Sequence, residues 1–253
     1  MSGARWRAVL LPVRAVVSPD ASLREAAVAS GRVMAASLLL LVALLGALAL
    51  PRLQALLGAG LADGRSSLLD AHVAVLRVGL ARYVLADRLL PPLPYAIGAV
   101  FAWLVSAPVL AGSGVRARTV AAVLMAGASP LLVQRAGELA VVWLTPGGAL
   151  AAGDIVGLPA RFNVGVAGAL AAAGVRLDGW RSVAAEAANG IGVWVVLLWG
   201  WGLACLDRGP RATAPRASGA IRWCLVAAVA YGAGYAMYGA LLPAFLVLVM
   251  GAP

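Results

Sequence analysis

Lysine is missing from this chain: all twenty basic residues are arginine, set against ten acids for a formal net charge of +10. Charge of either sign is scarce, at 12% of 253 residues, while 63% are hydrophobic. A soluble domain carries ~25% charged residues, so this balance excludes an ordinary water-soluble globule and places the chain in the membrane class. The positive excess does not indicate nucleic-acid binding. The arginines fall mainly in gaps between apolar runs, where they hold loops at anionic headgroups, and no basic stripe studded with aromatics appears. Histidine occurs once, at His72, which leaves no second ligand for a metal and reads as a solvated or hydrogen-bonded side chain. The only two cysteines, Cys205 and Cys224, flank one short loop without C-x-x-C or Cys/His spacing, so free thiols are expected rather than a disulfide framework. Catalytic signatures are absent too. There is no G-x-x-x-x-G-K-[ST], H-E-x-x-H or G-x-S-x-G, and no two carboxylates are spaced for acid and base work. A non-enzymatic protein without cofactor or metal is expected.

What the chain has is long apolar runs. They predict an all-α integral membrane protein, a bundle of about five transmembrane helices with an amphipathic N-terminal segment and interfacial helices. Spans are expected at 33–50, 94–111, 119–144, 188–206 and 221–250, within a transmembrane domain of residues 33–253. Residues 1–32 form the N-terminal segment. Its apolar run is broken by Arg5, Arg7 and Arg14 and so does not read as a cleaved signal; Trp6, Val9, Leu10, Val13 and Val17 recur at helical spacing, as in a helix lying in the interface. Ser66 to Leu90 is a second amphipathic stretch. The first span is expected to end at Pro51 and Arg52, and the thirteen apolar residues from Phe162 to Gly174 are too few to cross, so residues 158–175 read as re-entrant or interfacial. Trp194, Trp199 and Trp201 are expected as headgroup anchors of the fourth span.

The third span holds two charges, Arg135 and Glu138. A charge at the bilayer centre costs ~2.5 to 3.5 kcal/mol, and a spacing of three lets the two neutralise each other on one helical face. They are the candidate intramembrane polar site. Ser129-Pro130 interrupts the same helix, because proline removes a backbone donor. In the last span Ala228, Gly232, Ala236 and Ala240 recur every fourth residue, a candidate helix-packing face, and beside it lie Tyr231, Tyr235 and Tyr238, read as packing contacts with internal hydrogen bonds. Orientation follows from arginine. With the N-terminus cytoplasmic, the inner segments hold eleven arginines, while the longer outer ones hold eight, offset by six acids.

The order of elements resembles the Yip1-domain family, as a bacterial member. The features that carry the likeness are a proline-containing segment before the first span (VVSPDASLREAA), a proline-centred third span (AGASPLL) and a short apolar FNVG-type stretch. A fourth span with Trp194, Leu198, Gly200, Gly202 and Leu203 completes it. The aromatic residue that eukaryotic members carry near the third-span proline is missing, so their trafficking role is not implied. The resemblance implies fold and topology. The function expected is a multi-pass scaffold or accessory factor of the cytoplasmic membrane, with membrane lipids, other membrane proteins or a second copy as partners and no nucleic acid. The alternative is a small transporter or channel component that uses Arg135 and Glu138.

Overall fold

The computed structural model describes residues 13–14, 31–62, 92–146, 165–173, 175, 180–208 and 217–250. The amphipathic N-terminal segment, apart from Val13 and Arg14, and the stretch Ser66–Leu90 with His72 lie outside the described residues. So do residues 158–164 of the re-entrant candidate.

Among the described residues the chain is helical apart from turns and one isolated bridge, between Gly165 and Asn189. The helices are α1 (Gly31–Ala62), α2 (Leu93–Ala111), α3 (Ala117–Gly127), α4 (Pro130–Leu144), α5 (Val166–Ala172), α6 (Trp180–Ala187), α7 (Gly190–Asp207) and α8 (Ala217–Met250). Five are long and apolar enough to cross a membrane when α3 and α4 are taken as one interrupted span. The five expected runs thus appear as helices.

Local chemistry sets their ends. Prolines open α2 and α4 in the first turn, where the missing N–H would have no partner anyway. α2 reverses into α3 through Gly114, whose φ of 79° only glycine adopts cheaply, while the Val115 N–H reaches back to the Leu110 carbonyl at 3.1 Å. Between α3 and α4 the backbone tightens into i to i+3 bonds, Ser129 to Ala126 and Leu132 to Ser129, so the proline break expected in the third span is a short 3₁₀ step. Asn189 caps α7 by accepting the Gly192 N–H at 2.6 Å.

Two boundaries differ from expectation. α1 does not stop at Pro51 but continues to Ala62. Next to the proline a neighbour reaches the backbone: the Trp143 indole donates to the Leu48 carbonyl at 3.2 Å, one residue from the Ala47 carbonyl that Pro51 leaves without its usual donor. α8 begins at Ala217 rather than at 221 and runs for 34 residues, ~51 Å at ~1.5 Å per residue, against a hydrocarbon core of ~30 Å.

α2 and α7 run antiparallel to α8 and pack on it, α3 packs on α2 and α7, and α1 packs on α3 and α4, which leaves the interrupted α3–α4 span the most buried of the five and α8 the least. The core at these contacts holds Leu110, Val120, Leu124, Val195, Trp199, Leu203 and Ala227, all essentially inaccessible. Leu39, Leu40, Leu104, Leu197, Leu225 and Val229 point outward, so the bundle is apolar on both sides, as lipid requires. Trp199 corrects an expectation. It is no headgroup anchor: its ring lies over Gly127, where a Cβ would stand 2.6 Å from Cδ1, and its Nε1 donates to the Leu124 carbonyl at 2.8 Å. Trp194 and Trp201 are half-buried.

Candidate functional site

Arg135 and Glu138 sit one turn apart in the middle of α4, and the spacing does what helical geometry permits. Arg135 Nη1 lies 2.5 Å from Glu138 Oε2, with the residues 4% and 5% exposed. The second carboxylate oxygen accepts from Gln134 Nε2 at 3.1 Å. Glu138 is therefore held by a guanidinium and an amide from its own helix, and the pair adds no net charge to the interior. Among the described residues Gln134 Oε1 is buried with no hydrogen-bond partner, as is Ser129 Oγ at the helix break. α4 carries this group against α1 and, to a lesser extent, α7. Its end is fastened to α1 by Arg52, whose Nη2 donates to the Thr145 carbonyl at 2.8 Å, a cation on a helix C-terminus.

A second polar group forms where α2, α7 and α8 meet. Tyr95, Tyr231 and Tyr235 bring their ring centroids to 5.0, 5.6 and 5.9 Å in tilted or edge-on pairs. Tyr231 Oη donates to the Ala187 carbonyl at 3.0 Å, and Tyr95 Oη is 3.5 Å from Asn189 Oδ1. Glycines make the room. A Cβ on Gly234 would stand 2.5 to 2.7 Å from the Pro94 carbonyl and the Gly98 backbone, and one on Gly192 would strike the Tyr231 hydroxyl. The rings pack on one another, and the Tyr231 hydroxyl has a carbonyl partner, so the packing with internal hydrogen bonds expected of the α8 tyrosines is seen at Tyr231, while Tyr235 shows the packing.

The face Ala228, Gly232, Ala236 and Ala240 points out of the bundle, and a Cβ on Gly232 would meet nothing within 4 Å. Within the chain α8 packs instead through Trp223, Ala227, Ala230, Tyr231, Gly234 and Tyr235. The reason is steric. Gly234 opposite Gly98 and Cys224 opposite Gly200 let backbones approach on that side, and the bulky tyrosines fill the space between.

The ion pair and the tyrosines are not one site, because one belongs to α4 and the other to α2 and α8. At the opposite end of the bundle Asp207 Oδ2 accepts from Arg222 at 2.6 Å and from the Trp223 indole at 3.1 Å, closing α7 onto α8 beside the 208–216 link. No disulfide joins Cys205 and Cys224. Among the described residues no three His, Cys, Asp or Glu side chains gather as a metal would need. Sequence reasoning missed Asn189 and the partnership of Tyr95 with α8. The first had a signal, an Asn-Gly pair immediately before an apolar run, which marks a helix start. The chain matches no protein-family model, no curated protein and no solved structure.

Proposed function

We propose that this chain is a non-enzymatic, multi-pass protein of the cytoplasmic membrane, N-terminus inside, that serves as a scaffold or accessory factor for lipids or other membrane proteins. A Yip1-like order of spans goes with that reading. The observation that carries it is that the two polar groups of the interior are matched mainly within the chain: Glu138 accepts from Arg135 and Gln134, and Tyr231 donates to the Ala187 carbonyl. The faces left for partners are the apolar exterior and the arginine-bearing turns, which suit lipid.

A transporter or channel component is the second reading, favoured by one observation. Gln134 Oε1 is buried beside Glu138 without a partner among the described residues, a place where a mobile donor could bind. One experiment separates the two. Purified protein in liposomes is tested for ion and solute flux alongside Arg135→Ala and Glu138→Ala. The scaffold reading expects the same background leak from all three, whereas flux above protein-free liposomes that is lost in both variants would replace it with the transporter.

A further inference from the structure

We propose that α6 is a lipid-binding foot: the Trp180 indole and the Arg181 guanidinium sit in the headgroup layer of the leaflet where α7 begins, with Arg181 on a phospholipid phosphate. The proposal deepens the lipid-contact part of the reading above and rests on the chain being in a membrane, not on the scaffold role.

The first support is how firmly the far end of α6 is held. Three successive carbonyls at its C-terminus accept bonds from three different places: Glu186 from Asn189 Nδ2 at 2.6 Å, Ala187 from Tyr231 Oη at 3.0 Å, and Ala188 from the Val166 N–H at 3.0 Å. Ala185 is buried against the body. An eight-residue helix pinned in this way has a fixed direction, so its first turn is presented rather than free to fold away.

The second support is what that turn presents. Trp180 is 76% exposed, the Arg181 side chain is exposed, and the guanidinium carbon lies 5.9 Å from the ring centroid. An indole with a cation beside it has an apolar plate, an N–H donor and a positive charge, which match ester groups and a phosphate. Water alone would leave a large ring solvated at a cost, and hydrocarbon alone would strand the cation.

The third support is level. α4 ends at the same end of the bundle at which α7 starts, since α3 meets α7 with Leu124 opposite Trp199. There Trp143 and Leu144 also face outward, at 55% and 82% exposed. Two outward tryptophans from separate elements at one end form the kind of aromatic girdle that marks an interface. The tyrosine bond places the C-terminal end of α6 on α8 fourteen residues above Ala217, ~21 Å along a core of ~30 Å, so α6 is anchored in the far third of the core, one short helix from the boundary.

The test compares wild type with Trp180→Phe in phosphatidylglycerol-containing nanodiscs. The difference in emission between the two isolates Trp180 from the other seven tryptophans. Lipid brominated near the ester region should remove most of that difference signal, lipid brominated at the chain end little of it, and aqueous iodide little of it. Full quenching by iodide with none by bromolipid overturns the proposal, as does protection from all three quenchers, which would mean that protein covers the ring. For the guanidinium, native mass spectra of Arg181→Gln should show fewer retained phospholipids than wild type; equal retention removes the phosphate contact. Failure of the scaffold reading would appear in the flux assay and leave these signals unchanged.

Discussion

Glu138 is the side chain on which the interior of α4 depends, because it accepts from both Arg135 and Gln134. Removing the carboxylate takes away the counter-charge beside a guanidinium at 4% exposure. Losing one partner of a buried pair costs about 3 to 5 kcal/mol, whereas replacing both by well-packed apolar residues is often neutral or better. Glu138→Ala should therefore lower the unfolding midpoint in mild detergent strongly, and Arg135→Leu with Glu138→Leu should recover most of the loss. The readout is thermal unfolding followed by helical circular dichroism. If the double variant proved as unstable as the single one, the pair would be contributing more than neutralisation. This pairing was legible in the sequence, since a spacing of three on a helix leaves two opposite charges in an apolar run little choice. The contacts of Trp199 were not. Nothing local distinguishes a tryptophan that anchors at headgroups from one that covers Gly127, since that depends on which helix lies opposite.

At the scale of the element, sequence periodicity locates small residues but not the neighbour they serve. α8 has two faces with small residues, and the more regular one, Ala228, Gly232, Ala236 and Ala240, looks outward in the chain. The face that packs is less regular and contains tyrosines. A comparison of two glycines one turn-half apart tests this division. A leucine at Gly234 would drive into the Pro94 carbonyl and the Gly98 backbone, forcing α2 and α8 apart, while one at Gly232 meets open space. Overpacking of that kind costs about 1 to 3 kcal/mol or more. Gly234→Leu should thus depress the unfolding midpoint clearly and Gly232→Leu should leave the monomer's stability nearly unchanged. Equal effects would mean that the crossing of α2 and α8 is not where the structure has it. The helix boundaries follow the same logic. Proline at the start of α2 and α4 could be read as a beginning, but Pro51 could not be read as interior, because nothing local in the sequence shows that α4 packs alongside and that the helix continues.

For the whole molecule, five helices long and apolar enough to cross a membrane set the frame, and the arrangement of turns constrains topology. The α2 to α3 turn and the α7 to α8 link lie at one end of the bundle, with Arg116, Arg118, Arg208 and Arg222 around them. The other end carries Arg52 on the α4 terminus and the α6 foot. An odd number of crossings must leave the two chain ends on opposite sides of the bilayer, and the denser arginine end is expected inside. Reporters that are active only in the cytoplasm or only outside it, fused in turn to each terminus and into residues 209–215, check both points. The N-terminal and 209–215 fusions should report the cytoplasm, and the C-terminal fusion the far side. Replacing Arg208, Arg211 and Arg216 by Gln weakens the bias of that link and should raise the fraction of inverted chains, whereas the same number of substitutions among the outer arginines should not. If the two ends report from one side, then one of the five apolar helices does not cross, and α1 is the first to re-examine. It carries Pro51 in its interior, and among the described residues it packs mainly on α3 and α4.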